Sequence, residues 1–279
     1  MFEMFQLDFM MQAFLFSLII GVVLSYLGIH VVTRGIVFVD LALGQISSLG
    51  VAYSDYIGYG KTIIPILFAL AGAFLMSLIN INDKRLKLEA IIGIIYAIAS
   101  AVTVMLISKT PHGDSDIQEV LFGNILSVDS PHIMTVGIIF GAIAVVHLLF
   151  FKKFYAASVV RANVHDSTSI PSGRKVFDFW NFAFYLSIGL AIVFSVRTSG
   201  VIPVFAFLII PAVGATMISK SNTGVFVFAT LITILGIFFG LNVSYKYDFP
   251  AGSSLVALLG GLFAVISLFY LIKNCLTKK

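Results

Sequence analysis

The chain alternates long apolar runs with short polar connections. Nine runs, each of about 20 residues, are long enough to cross a bilayer as α-helices. They cover residues 10–32, 36–57, 63–79, 89–108, 132–151, 179–196, 200–218, 223–243 and 250–272. A further apolar stretch, 117–128, is too short to cross and is predicted to be interfacial or re-entrant. The pattern predicts an all-α polytopic transmembrane helical bundle of eight or nine spans, with residues 1–279 forming a single transmembrane domain.

Composition strengthens this prediction. Hydrophobic residues make up 59% and charged residues 11% of the chain, whereas soluble domains carry roughly 25% charge. The excess apolar surface must therefore face lipid. The N-terminal residues are acidic rather than basic, so no cleavable signal peptide is predicted and the first span is expected to be retained. Cys275 is the single cysteine, which excludes an intramolecular disulfide.

The basic residues predict an orientation. With the N-terminus outside and nine crossings, 13 of the 17 Lys and Arg residues fall on the cytoplasmic side. This bias is the positive-inside signal, and it predicts a cytoplasmic C-terminus. The net charge of +4 is small and concentrated on one side of the membrane, so no nucleic-acid partner is indicated.

The longest connection, 152–178, is predicted to be cytoplasmic. Its first part has apolar residues from Ala156 to Val164 among polar ones and predicts a short helix, while its second part is rich in Ser, Thr, Pro and Gly. A short helix of this kind can dock on a soluble partner. The alternative is a solvated loop anchored by its positive charge, and the residues alone leave both open.

Polar residues within the spans are functional candidates because they are costly in lipid. Asp40 lies near the start of the second run, and Gly44, Ser47 and Gly50 follow it at helical spacing. Asp40 is interpreted either as a carboxylate ligand for a cation or as a cap of its own helix, which the helix dipole would favour.

The short apolar stretch supplies two more candidates, Glu119 and Asn124. Irregular backbone within a membrane protein usually lines a cavity, so these two residues are predicted to face one. His112, Asp114 and Asp116 have residue types that suit a divalent cation, but a solvated outer loop is the favoured interpretation.

Catalytic and nucleotide-binding motifs are not found. Gly58–Thr62 ends like a P-loop, but position 55 is Asp where the first glycine would stand. The chain is therefore predicted not to be an enzyme and to need no cofactor, and any ATP-driven role would need a separate ATPase.

Four segments, taken in order, carry a family resemblance. They are VVTRGIVFVDLALGQISSLGV, EAIIGIIYAIASAVTVMLIS, QEVLFGNILSV and TSGVIPVFAFLIIPAVGATMIS. With the basic loop between the fifth and sixth runs, they resemble the permease of ABC importers for zinc, manganese or iron, the ABC-3 family. The resemblance covers most of the chain.

The resemblance implies partners and site residues. It implies a cytoplasmic ABC ATPase, an extracytoplasmic metal-binding protein, a second copy of this chain and residence in a prokaryotic plasma or inner membrane. A divalent metal would be the transported cargo, passing Asp40, Glu119 and Asn124. Within 152–178, the family's coupling helix would contact the ATPase through these residues: Ala157, Arg161, Ala162, Asn163, Val164 and His165.

One departure bears on the cargo. The family usually pairs the second-span Asp with a His four residues later, whereas this chain has Gly44 at that position. The imidazole that would suit zinc or manganese is therefore missing. The alternatives are a permease for metal chelates or vitamin B12, and a secondary cation transporter that needs no ATPase.

Overall fold

The computed structural model describes residues 3–79, 88–109, 118, 120–166 and 178–277. Ten α-helices are delimited in them, and no β-strand occurs in this part of the chain, which confirms the all-helical prediction. The helices are α1 (Asp8–Arg34), α2 (Val39–Ile57), α3 (Ile63–Leu78), α4 (Leu88–Ile107), α5 (Ser130–Leu149), α6 (Phe151–Asp166), α7 (Phe179–Ser199), α8 (Val201–Ile218), α9 (Asn222–Tyr247) and α10 (Ala251–Thr277). Short 3-10 helices lie at Glu3–Gln6 and Ile125–Ser127.

Seven of the described helices are long and apolar enough to cross a membrane: α1, α4, α5, α7, α8, α9 and α10. The other two predicted crossings differ for separate reasons. α3 is apolar but has only 16 residues. α2 has 19 residues, but Asp40, Gln45, several serines and Asp55 make it the polar member of the set. The exact number of spans and the orientation stay predictions.

Contacts within the chain group it into two compact units. The first comprises Met1–Val32, Phe122–Phe140 and Thr198–Lys279. Here α8, α9 and α10 pack against one another, and Ile125–Ser127 contacts α10. α1 crosses α8 at Gly28, where any side chain would clash with the backbone carbonyl of Leu208. Glycine thus allows two helices to approach at backbone distance.

The second unit comprises Thr33–Leu121 and Gly141–Arg197. In it α2 packs against both α3 and α4. A Cβ built on Gly50 of α2 would lie 2.8 Å from the Cα of Pro65, so α2 and α3 also approach closely. This packing buries the polar face of α2 inside protein rather than in lipid, which is the condition under which polar residues are tolerated at membrane depth.

The predicted coupling loop 152–178 is helical in its first part. α6 begins two residues after α5 ends, with Phe150 between them, and continues to Asp166. Residues 167–177 lie outside the described part of the chain.

Candidate ion site and its surroundings

Asp40 is a buried carboxylate in the first turn of α2. Asp40 is 2% exposed, and neither of its carboxylate oxygens has a hydrogen-bond partner among the described residues. The backbone N–H groups of Asp40 and Leu41 lie close enough to interact electrostatically, but they do not meet hydrogen-bond geometry. The N-cap of α2 is Phe38, without a side-chain cap bond. Asp40 is therefore not the N-cap residue of α2, but it lies in the first turn, beside the positive end of the helix dipole.

Asp40 begins a row of small and polar residues on one face of α2, which we call the α2 stripe. Its members fall on one face of the helix at 3.6 residues per turn. They are Asp40, Gly44, Ser47, Ser48, Ser54 and Asp55. The stripe spans about 22 Å at the 1.5 Å rise per residue of an α-helix. All its members except Asp55 are buried.

The two serines that lead toward Asp55 differ in their bonding. Ser54 donates a 2.8 Å hydrogen bond to the carbonyl of Val51 in its own helix. Ser48 is 1% exposed, and its hydroxyl has no hydrogen-bond partner among the described residues. Two unsatisfied groups on one helix face, Asp40 and Ser48, are unusual because buried polar groups are nearly always paired.

A pocket of about 260 Å³ opens beside the Asp55 end of the stripe. Ser48, Ser54 and Asp55 line it from α2, and Lys61 and Arg197 bring positive charge to its wall. The Lys61 Nζ lies 3.2 Å from the Asp55 Oδ1. Both side chains are exposed to solvent, 68% for Lys61 and 41% for Asp55, so the ion pair is weak and readily broken.

The structure describes Asn124 among the remaining candidate ligands. Asn124 is exposed and belongs to the first unit, whereas Asp40 belongs to the second. Glu119 lies outside the described residues, as do His112, Asp114 and Asp116. Within the described ranges, no group of three or more His, Cys, Asp or Glu residues is arranged to hold a metal. The roles of Glu119 and Asn124 as ligands stay predictions.

The candidate coupling residues share one helix. Ala157, Arg161, Ala162, Asn163, Val164 and His165 all fall within α6. Ala157 is half-buried, one residue before the fully buried Ser158. Contact of these residues with an ATPase stays a prediction.

The sequence did not predict a buried arginine that joins three helices. Arg34 is 1% exposed at the end of α1. Its Nε donates a 3.0 Å hydrogen bond to the Ser158 hydroxyl of α6, and its Nη1 donates one of 3.0 Å to the Asn181 Oδ1 of α7. Its Cζ lies 3.6 Å from the centroid of the Phe184 ring. The only sequence signal was a single Arg in the short break between two apolar runs, which reads as a surface charge.

Comparison with known proteins finds membrane transport proteins of similar sequence. The model of the ABC 3 transport family matches residues 6–270. The manganese transport system membrane protein MntC of Listeria monocytogenes is 28% identical over 266 residues, which cover 95% of this chain and 91% of that protein. A probable iron transport system membrane protein of Haemophilus influenzae is 26% identical over 271 residues, with 96% and 92% covered.

A solved structure shows the same likeness in three dimensions. PsaBC from Streptococcus pneumoniae, in complex with Fab, superposes with a TM-score of 0.76 at 25% identity, over 93% of this chain and 91% of that one. The family match spans nearly the whole length, and the described helices are of the kind that crosses membranes. This multi-pass membrane protein therefore belongs to the ABC 3 transport family.

Proposed function

We propose that the chain is the membrane-spanning permease subunit of an ABC importer for a divalent metal ion. The observation that carries the proposal is Asp40, a buried carboxylate without a hydrogen-bond partner among the described residues. An ionised carboxylate in this position is poorly stabilised by protein. A divalent cation is the ligand that would stabilise it, and similar proteins are named for manganese and iron transport.

The ligand types favour manganese over zinc. The Asp40 carboxylate offers oxygen, and Gly44, one turn beyond it, offers no side-chain donor. Oxygen ligands suit manganese better than zinc, so the missing imidazole, which either ion could use, is the greater loss for zinc. Because the Asp40 carboxylate makes no hydrogen bond with the described residues, it can take up and release an ion without breaking one. A weakly held carboxylate suits a transport site, which must bind its ion and then let it go.

The proposed orientation gives the α2 stripe a direction. With the N-terminus outside, Lys61 and Arg197 lie on the outer side, so the pocket beside Asp55 faces the metal-binding protein that would deliver the ion. The ion would then follow the stripe inward to Asp40. α6 would lie on the cytoplasmic side, where an ATPase docks, and two copies of the chain would pair with two ATPases.

Metal uptake into proteoliposomes that hold the permease and its ATPase tests the ligand. We expect Asp40→Asn to lower manganese uptake by about tenfold or more, since a lost ligand worth 1.4 kcal/mol changes binding tenfold. Thermal stability should be unchanged or higher, because the substitution removes a buried carboxylate that has no hydrogen-bond partner among the described residues. Asp8→Asn, at an exposed position in α1, is the matched control. Uptake by Asp40→Asn at the wild-type rate would show that Asp40 is not a ligand.

Copurification tests the ATPase partner. We expect the affinity-tagged chain to retain a soluble ATP-hydrolysing subunit, and we expect Arg161→Glu on α6 to weaken that association. Ser187→Ala on α7 serves as a control, since the Ser187 hydroxyl donates a 2.8 Å hydrogen bond to the Ala183 carbonyl of its own helix. Uptake driven by an ion gradient, with no ATPase present, would instead identify a secondary transporter.

A further inference from the structure

We infer that Arg34 is the positioning residue that fixes α6, the proposed ATPase-docking helix, to the membrane helices next to the ion site. The inference rests on the proposed function and adds a specific residue through which ATP-driven motion reaches that site. It assigns to Arg34 no contact with the ion or with the ATPase.

The contacts of Arg34 join helices that are distant in sequence. Its guanidinium holds Ser158 of α6 and Asn181 of α7 at the same time, each at 3.0 Å, and lies over the Phe184 ring. Ser158 and Asn181 are 0% and 1% exposed, so these hydrogen bonds form away from water. Hydrogen bonds to a charged group are stronger than neutral ones, and more so in a site of low dielectric.

The network continues from α7 to α3. The Asn181 Nδ2 donates a 3.3 Å hydrogen bond to the carbonyl of Ser77, in the last turn of α3. α3 packs against α2, whose first turn carries Asp40. Arg34 also immediately precedes the short connection into α2. Movement of α6 can therefore reach Asp40 by two routes, through α7 and α3, or through the chain from Arg34 into α2.

α6 is also held from α5. The Phe154 ring of α6 is 0% exposed and stacks on the His147 ring at a centroid distance of 3.9 Å and an interplanar angle of 9°. Phe154 and Ser158 are one helical turn apart, so both lie on the same face of α6. This buried face anchors the helix, while the exposed Lys152, Lys153 and Ala156 lie on other faces.

The guanidinium is suited to this role. It is planar and carries five N–H donors in a fixed arrangement, so one group can bond two helices and stack on a ring. Lysine offers a point charge and cannot reproduce that geometry. A buried guanidinium is also very costly to leave unpaired, so the three helices are expected to move together rather than separately.

The test measures metal ions transported per ATP hydrolysed, in proteoliposomes with the permease and its ATPase. We expect Arg34→Gln to retain the ATPase and its hydrolysis while the number of ions transported per ATP falls by about tenfold. Arg34→Lys should restore only part of the ratio, because the charge returns without the planar geometry. Ser158→Ala should lower it by a smaller factor.

Two controls separate coupling from packing. Ser187→Ala removes an intrahelical hydroxyl bond like the one from Ser158 to Phe154, but the Ser187 bond leaves Arg34 untouched, so the ratio should not change. Lys246→Gln removes an exposed positive charge in the other unit and should also leave it unchanged. If Arg34→Gln fails to fold, the Ser158→Ala variant tests the inference instead. A wild-type number of metal ions transported per ATP in Ser158→Ala would then overturn it.

The outcomes also distinguish this inference from the proposed function. A wild-type chain that binds no ATPase or transports no metal contradicts the proposed function itself. A wild-type chain that transports normally, with an unaltered ratio in Arg34→Gln and Ser158→Ala, contradicts only the role of Arg34.

Discussion

The backbone N–H of Asn124 donates a 2.8 Å hydrogen bond to the carbonyl oxygen of Thr198. The Thr198 hydroxyl in turn lies 2.9 Å from the His132 Nε2, so the segment before α5, the start of α5 and the end of α7 are joined at one point. Gly123, with φ of +66°, makes this approach possible. A side chain there would clash with the backbone of Thr198 and Ser199.

Gly123→Ala should therefore destabilise the protein in two ways, through left-handed backbone strain and through the clash. We expect it to lower the free energy of unfolding by about 2–3 kcal/mol and the Tm in detergent by about 5 °C or more. Gly141→Ala, within α5 where an added Cβ meets no atom within 4 Å, should be neutral or slightly stabilising, because alanine favours helix. Equal Tm values for the two variants would argue against the approach at Gly123.

Cys275 provides a direct test of orientation, because it is exposed and is the single cysteine of the chain. A membrane-impermeant maleimide should label it in inverted vesicles but not in intact spheroplasts. Lys61→Cys in a Cys275→Ser background should show the opposite pattern, since Lys61 is predicted to lie outside and its side chain is 68% exposed. Labelling of Cys275 from the outside would reverse the proposed topology.

Lys61 should slow the entry of a cation because it pairs with Asp55 at the pocket. We expect Lys61→Gln to raise the initial rate of metal uptake by about two- to threefold at low salt, through weaker repulsion of the cation. The effect should fade with added salt, since exposed charges are screened over about 10 Å at 0.1 M ionic strength. Stability should hardly change, as expected for an exposed pair. A rate that is unaffected at low salt would exclude Lys61 from the entry path.

Gly44 should influence which metal is transported. Gly44→His would place an imidazole one turn from Asp40 on the same helix face, and imidazole suits zinc. We expect the preference for zinc over manganese to rise by about tenfold, equivalent to 1.4 kcal/mol. Gly44→Ala isolates the steric effect of any side chain at this buried position. An identical zinc-to-manganese ratio in the His and Ala variants would place the ion away from Gly44.

Much of the fold followed from local pattern. Each of the nine apolar runs contains a helix in the structure, because a chain in lipid must satisfy its backbone hydrogen bonds within each segment. The helix in 152–166 was also foreseeable from its mixture of alanine and valine with polar residues. Asp40 stood out as an ionisable residue within an apolar run, and its burial agrees with that reading.

Tertiary structure decided how the polar residues are used. The sequence could not show that the Asp40 carboxylate has no hydrogen-bond partner among the described residues, because that depends on the side chains that α3 and α4 bring to α2. It also could not show the pocket shared by Asp55, Lys61 and Arg197, since Arg197 is contributed by α7.

Arg34 shows most clearly the difference between what local sequence predicts and what tertiary packing decides. In the sequence it is one basic residue in a short polar break, and it counts among the Lys and Arg residues predicted to be cytoplasmic. In the structure its buried guanidinium donates hydrogen bonds to Ser158 and Asn181, which are 124 and 147 residues away along the chain. Local pattern specifies helices because their hydrogen bonds are local. A buried charge depends on partners from distant segments, and only the packed structure brings these together.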